Sequence, residues 1–226
     1  MRNLLLLGCL LFVPAVFAGT CLPGTLADYV LLPDACNINQ VQFGSFFLGP
    51  VANFATEIDP ALVQVTPLSD PGAVGLLFTL NANANAGEVF ESFIHFSATA
   101  GWLTSATISL GSPLVTLDGA VTAVMDVCAD GDFLGVEPLG CTGSPGTAIA
   151  FAIDDPNSSL SSRLDFPVSS FFDVFVDITI DGGLAGSAFL DSAAVSIDTP
   201  EPGNLLLVTL SLASLGAIKL RRRRRQ

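Results

Sequence analysis

The stretch DVCADGDFLG carries Asp126, Asp130 and Asp132 around a glycine-containing turn. Hard carboxylate oxygens gathered at a turn are the ligands calcium takes, so these three residues form a candidate calcium site. The spacing is Asp-x-x-x-Asp-Gly-Asp, without the full twelve-residue EF-hand loop or a bidentate Glu at its end. A solvated hairpin turn beside Cys128 is the competing reading. His95, the single histidine, lies in FESFIHFSA, where a strand residue with a satisfied ring is expected. Gly-x-Ser-x-Gly, P-loop and dinucleotide fingerprints are absent from the sequence. Paired carboxylates could hydrolyse a glycoside, and acids are plentiful, but the sequence gives no pair a special environment. Arg163 stands alone in the middle of the chain and is too little to grip a phosphate or a carboxylated substrate. The catalytic set is therefore empty and the chain reads as non-enzymatic, with no cofactor beyond calcium suggested.

Charge divides the chain. Of the eight basic residues, Arg2, Lys219 and Arg221 to Arg225 lie at the two ends. Between Gly19 and Asp198 a single Arg faces twenty of the twenty-one acids, a net charge near −19. Such a middle repels nucleic acid and anionic lipid, which excludes both as partners of the body.

MRNLLLLGCLLFVPAVFAGTC opens the chain with Arg2, an apolar run from Leu4 to about Val13, and Val16 and Ala18 at the −3 and −1 positions. That order is a secretory signal peptide spanning residues 1–18, with cleavage after Ala18. A lipoprotein reading is weaker, because Thr20 stands where a small residue is wanted just before Cys21. Four cysteines remain, and an even count in an exported chain favours disulfides. Four cysteines allow three pairings. Cys21–Cys36 with Cys128–Cys141 closes the shortest loops and is the expected one. A zinc site needs close pairs of Cys or His, which these spacings do not supply.

The end of the chain, TPEPGNLLLVTLSLASLGAIKLRRRRRQ, is apolar from Leu205 to Leu220 apart from Thr209, Ser211, Ser214 and Lys219. Lys219 can snorkel. As a helix this run spans about 24 Å, a short membrane hook followed by Arg221, Arg222, Arg223, Arg224 and Arg225 on the cytoplasmic side. Pro200-Glu201-Pro202, a short transmembrane helix and a terminal Arg cluster together resemble the PEP-CTERM protein-sorting signal of bacteria. The resemblance covers about the last 28 residues, 199–226. It implies a transient partner, an exosortase that reads the tail in the membrane. It also implies an inner-membrane-anchored precursor whose body passes to the cell surface or extracellular matrix. Two stretches of the body, LADYVLLPDACNINQVQFGSFFL and GLLFTLNANANAGEVFESFIHFSA, are similar to uncharacterised PEP-CTERM proteins with a Leu-Tyr-Leu-Cys-x-Ile start, a group that implies no chemistry.

What must hold these residues is a body of residues 19–198 rich in Val, Ile, Phe and Thr. ALVQVTPL, VGLLFTLN, VFESFIHFSA, WLTSATISL, LVTLDGAVTAVMDVCA, GTAIAFAI and FDVFVDITI read as strands. SDPGA, NANANAG, SLGSP, ADGD, DDPNSS and DGG read as breaks between them. In FDVFVDITI, Phe172, Val174, Val176, Ile178 and Ile180 fall on one face and Asp173, Asp177 and Thr179 on the other, with Phe175 the exception. GTLADYVLL suggests one or two helical turns. The expectation is an all-β chain, a single antiparallel, jelly-roll-like β-sandwich between the signal peptide and the tail. A glycan-binding or carbohydrate-active role, with extracellular polysaccharide as partner, is the alternative. Only Trp102 and Tyr29 offer amphipathic platforms, against seventeen Phe suited to the core, which argues against a dedicated carbohydrate-binding module.

Overall fold

A computed structural model describes residues 19–70 and 73–199. The signal peptide, Pro200–Pro202, the apolar run 205–220 and the arginines 221–225 lie outside the described residues. Among the described residues no helix is long and apolar enough to cross a membrane.

The body is all-β. It opens with β1 (Gly19–Thr20) and β2 (Gly24–Thr25), then the single short helix α1 (Leu26–Val30). There follow β3 (Cys36–Ile38), β4 (Val41–Leu48), β5 (Thr56–Glu57), β6 (Gln64–Asp70) and β7 (Ala73–Asn85). The rest is β8 (Val89–Gly111), β9 (Leu114–Thr116), β10 (Ala120–Ala129), β11 (Ser144–Ile153), β12 (Ser161–Asp181) and β13 (Ser187–Asp198). One turn of helix forms where GTLADYVLL suggested it. Thr25 caps it by accepting from Asp28 N–H, and Asp28 accepts from Thr25 N–H at 2.9 Å, a reciprocal capping box.

All strands belong to one hydrogen-bonded sheet, antiparallel except where β1 meets β3 and β5 meets β8. The long strands organise it. β8 pairs with β12 in two runs, Val89–Thr99 and Ser105–Ser109, with β4 over its first half and with β13 over its second. β10 lies on the other side of β12 and carries β11. β13 lies between β8 and β7, and β6 and β2 follow β7. Bulges bend this sheet: between Asp165 and Ser169 in β12, between Thr99 and Leu103 in β8, between Gly44 and Phe47 in β4, and between Thr79 and Ala82 in β7. The curled inner face encloses one core, to which Phe43, Phe78, Phe96, Ile108, Met125, Phe172 and Val195 all contribute, each fully buried. Alternation in β12 is as the pattern requires: Phe172, Val174, Val176, Ile178 and Ile180 are all inside.

Three elements depart from expectation. VFESFIHFSA and WLTSATISL are a single 23-residue strand, β8, which pairs with β12 on both sides of an irregular stretch at residues 100–102. NANANAG is a break only at Ala86 and Gly87; its first five residues are the end of β7. Its asparagines point out while Ala84 is buried inward, so the two-residue period survives despite low strand propensity. DSAAVSID, which is not among the stretches read as strands in the sequence, belongs to β13, whose neighbours on both sides make it an interior strand. At Gly75 the β7 and β13 backbones approach so closely that a Cβ would lie 1.9 Å from the Val195 carbonyl oxygen.

Candidate functional site

The outward face of β8, β12 and β10 holds most of the chain's chemistry. Register sets His95 opposite Phe175, Phe93 opposite Asp177, and Asp126 opposite Phe175 from the other side. The same alternation that buries Val174 and Val176 therefore turns Asp173, Phe175 and Asp177 outward. Yet Phe175 is only 1% exposed, so this face too is covered. Its cover is the chain between β10 and β11, closed by the Cys128–Cys141 disulfide with Cα atoms 5.5 Å apart. Phe133 of that segment packs edge-on against Phe175 at 5.3 Å, and Phe47 and Phe93 complete an aromatic layer. The Phe175 exception in the sequence pattern is thus a second, smaller core on the outer face.

His95 sits inside that layer. The β4 bulge places Ser45 at φ 54 and aims its carbonyl at the ring, 2.9 Å from Nδ1. A carbonyl only accepts, so Nδ1 carries a proton. Nε2 meets Asp173 Oδ1 at 2.5 Å, and Asp173 Oδ2 accepts from Phe133 N–H at 2.9 Å. Phe47 stacks on the imidazole at 4.1 Å. Both ring nitrogens are engaged and the pair is buried, so neither is free to serve as a general base. The ring is satisfied, as expected of a strand histidine. Its partner Asp173 was not singled out by the sequence; the Phe175 exception two residues on was the available signal.

Beside this layer runs a groove of about 310 Å³ lined by Glu91, Asp126, Asp177 and Glu137 with Pro50, Phe93 and Leu139. Burial, then repulsion from Glu91, pushes the Asp177 carboxyl up to about 6, and protonated Asp177 donates to Glu91. Glu91 Oε2 accepts from Ala52 N–H at 2.6 Å, and Asp126 Oδ1 accepts from Thr147 Oγ1 at 2.5 Å. Asp130 accepts from the N–H of Ser170 at 2.8 Å and from its hydroxyl, bonds that hold its carboxyl below the usual range. Asp132 is exposed at the turn, its N–H bonded to Thr142 Oγ1. The structure therefore does not gather Asp126, Asp130 and Asp132. Among the described residues no group of three His, Cys, Asp or Glu is arranged to hold a metal ion.

The other disulfide, Cys21–Cys36, with Cα atoms 4.8 Å apart, joins the residue that follows β1 to β3, so the nearest-neighbour pairing is the one formed. Of the two amphipathic platforms, Tyr29 is buried with its hydroxyl donating to Leu22 O at 2.8 Å, while Trp102 is 53% exposed.

The root of the tail is a third locality. β13 ends at Asp198, whose carboxylate accepts from Ser105 Oγ at 2.8 Å and from Arg163 Nη1. Arg163 Nε also donates to Asp165 Oδ1 at 2.8 Å. Thr104 Oγ1 donates to the Asp198 carbonyl at 3.3 Å. The one arginine between residues 19 and 198 is therefore committed to the last residue of the last strand. Immediately beyond, Thr199 shares a pocket of about 130 Å³ with Gln40, Ala100, Gly101 and Trp102.

No family model matches the chain. No curated protein matches it either. Among solved structures, the Glycosylation Associate Protein (Gap123) complex from Streptococcus agalactiae aligns at a TM-score of 0.27 and 11% identity, over 80% of this chain and 27% of that one. The carbohydrate-binding module TmCBM61 in complex with β-1,4-galactotriose aligns at 0.26 and 10% identity, over 67% of this chain and 87% of that one. CsCBM6-3 from Clostridium stercorarium in complex with cellobiose aligns at 0.21 and 13% identity, over 78% and 94%. Likenesses this distant carry no argument about what the chain does.

Proposed function

We propose that this chain is an exported, non-enzymatic surface or matrix protein. In this reading its body is held at the inner membrane by the segment Leu205–Leu220 and is then passed on when an exosortase reads Pro200-Glu201-Pro202. The curled sheet is read as the two layers of a jelly-roll-like sandwich, with the bent β8 and β12 shared between them. One observation supports the reading most. An interior strand, clamped at Asp198 by Arg163, ends one residue before the Pro-Glu-Pro tripeptide. A folded, disulfide-closed body then gives way directly to a stretch whose prolines cannot continue the ladder, which suits a processing enzyme's cleft. The two disulfides fit an oxidising compartment.

Mass spectrometry of the surface form tests this in a host that carries an exosortase. A body that has lost Arg221 to Arg225 is expected from the wild type, and a membrane-held, unprocessed chain from Glu201→Gln. A mature form that keeps its tail through Gln226 overturns the sorting reading.

A second reading has a specific site. A groove of about 310 Å³ between β7 and the segment around Ile58 has Leu80 and Phe90 at its floor and Asn81, Asn83 and Asp59 at its rim. Apolar floor with amide and carboxylate rim suits a neutral sugar. A glycan array probed with and without calcium, comparing wild type with Asn83→Ala, decides it: no glycan retained by the wild type removes this reading.

A further inference from the structure

Trp102 is the chain's only tryptophan, more than half exposed, and single exposed apolar side chains are ordinary on protein surfaces. Its place is what matters. It lines the same small pocket as Thr199, the last described residue before the tail. Val168 is also exposed and adjoins Ser169, which pairs with Leu103 beside Trp102; Ser169 and Leu103 are buried.

We propose that, in the membrane-anchored form, Trp102 sits in the head-group layer of the bilayer that holds the tail. The inference rests on reading Leu205–Leu220 as a membrane anchor. Residues 200–204 alone separate Thr199 from Leu205. At about 3.3–3.6 Å per residue this connection reaches about 20 Å when fully extended. The head-group region beyond the hydrocarbon is itself about 5–7 Å deep on each side. Thr199 cannot drift along the sheet, because Asp198 is fixed by Arg163, Ser105 and Thr104. The end of the body that carries Trp102 is therefore kept against the bilayer. An indole is the side chain that gains there: its ring packs against the first methylenes of the acyl chains, and its N–H finds acceptors among the head groups.

Charge specifies the lipid. Arg163 already holds two carboxylates, and Asp130 is bonded to Ser170 nearby on the same outward face. Among the described residues no cation stands free for an anionic head group, so the surface that fits the body is zwitterionic.

The full chain, floated with vesicles of phosphatidylcholine and phosphatidylethanolamine, tests this through its single indole. Expected is a blue shift of the emission and loss of most of it to lipids brominated near the head-group end of the acyl chain. Replacing part of the lipid by phosphatidylglycerol should weaken the quenching. A Gly-Ser insert of about twenty residues between Thr199 and Pro200, adding roughly 25 Å of mean reach, should abolish both signals while flotation persists. Protein that floats with Trp102 unshifted and unquenched overturns the inference and leaves the anchor reading standing. Quenching that survives the insert overturns it as well, since tail reach then does not set the contact. A chain that fails to float overturns both.

Discussion

Asp177→Asn should make the protein more stable at neutral pH, by an amount that disappears in acid. The carboxyl lies on β12 beside Glu91, and burial followed by that neighbour's charge raises it from 3.8 to about 6. A shift of about two units corresponds to about 3 kcal/mol at 1.36 kcal/mol per unit. The group is only partly buried, so water screens much of this, and about 1 kcal/mol is the realistic penalty for carrying the charge. The folded-state value is raised, so Asp177's contribution is fully present below about 3.8 and is lost as pH rises through about 6. Asparagine is neutral throughout, and its NH2 can donate to Glu91 in place of the carboxyl proton. The variant should therefore gain about 1 kcal/mol near neutral pH, or about 2–4 °C in Tm for a body of this size, and match the wild type near pH 3.5. Guanidinium unfolding of the oxidised protein at both pH values measures the difference directly. An equal gain at the two pH values, or a loss at neutral pH, refutes the assignment of the shift to burial beside Glu91.

Asp173→Ala should cost about 3–5 kcal/mol, because it strands His95 inside the aromatic layer and leaves Phe133 N–H without its acceptor. A change below about 1 kcal/mol in denaturant unfolding would show that the pair is not buried as described. Replacing Cys128 and Cys141 together by Ser should cost about 3 kcal/mol and free the segment over Phe175, which near-UV dichroism and protease sensitivity between residues 130 and 143 would register; unchanged spectra would contradict that role for the bridge. Gly75→Ala forces a Cβ against the Val195 carbonyl between two paired strands, so a loss of about 1–3 kcal/mol is expected, and a neutral outcome would mean that the strands are less closely apposed.

Regular alternation made β12 legible, because every second residue from Phe172 to Ile180 is large and apolar. β4 was not, since Gly44 and Ser45 interrupt its pattern at the very bulge that turns a carbonyl toward His95. β13 buries Ala188, Ala193 and Val195 but alternates them with Ser and Asp, a weak contrast in any hydropathy reading. The disulfide pairing could be read because loop length alone favoured it. The His95–Asp173 pair could not, because its members stand 78 residues apart and meet only through the register of β8 against β12. The same holds for Glu91 and Asp177: the sequence shows two acids among twenty, and only strand pairing makes them neighbours.

The commitment of Arg163 to the tail root also determines which proteases can open this body. Enzymes that cut after lysine or arginine find a single site from Gly19 to Asp198, because no lysine occurs there. That site, the Arg163–Leu164 bond, lies within β12, paired with Thr107 and Ala106 of β8, and the side chain such an enzyme must seize is already held by Asp165 and Asp198. Cleavage therefore requires β12 to leave the sheet first, so trypsin-like attack is governed by local unfolding rather than by encounter. An acidic body so composed is nearly invisible to that class of protease, and a tryptic digest of it returns two very long body peptides where a chain of this size ordinarily gives many.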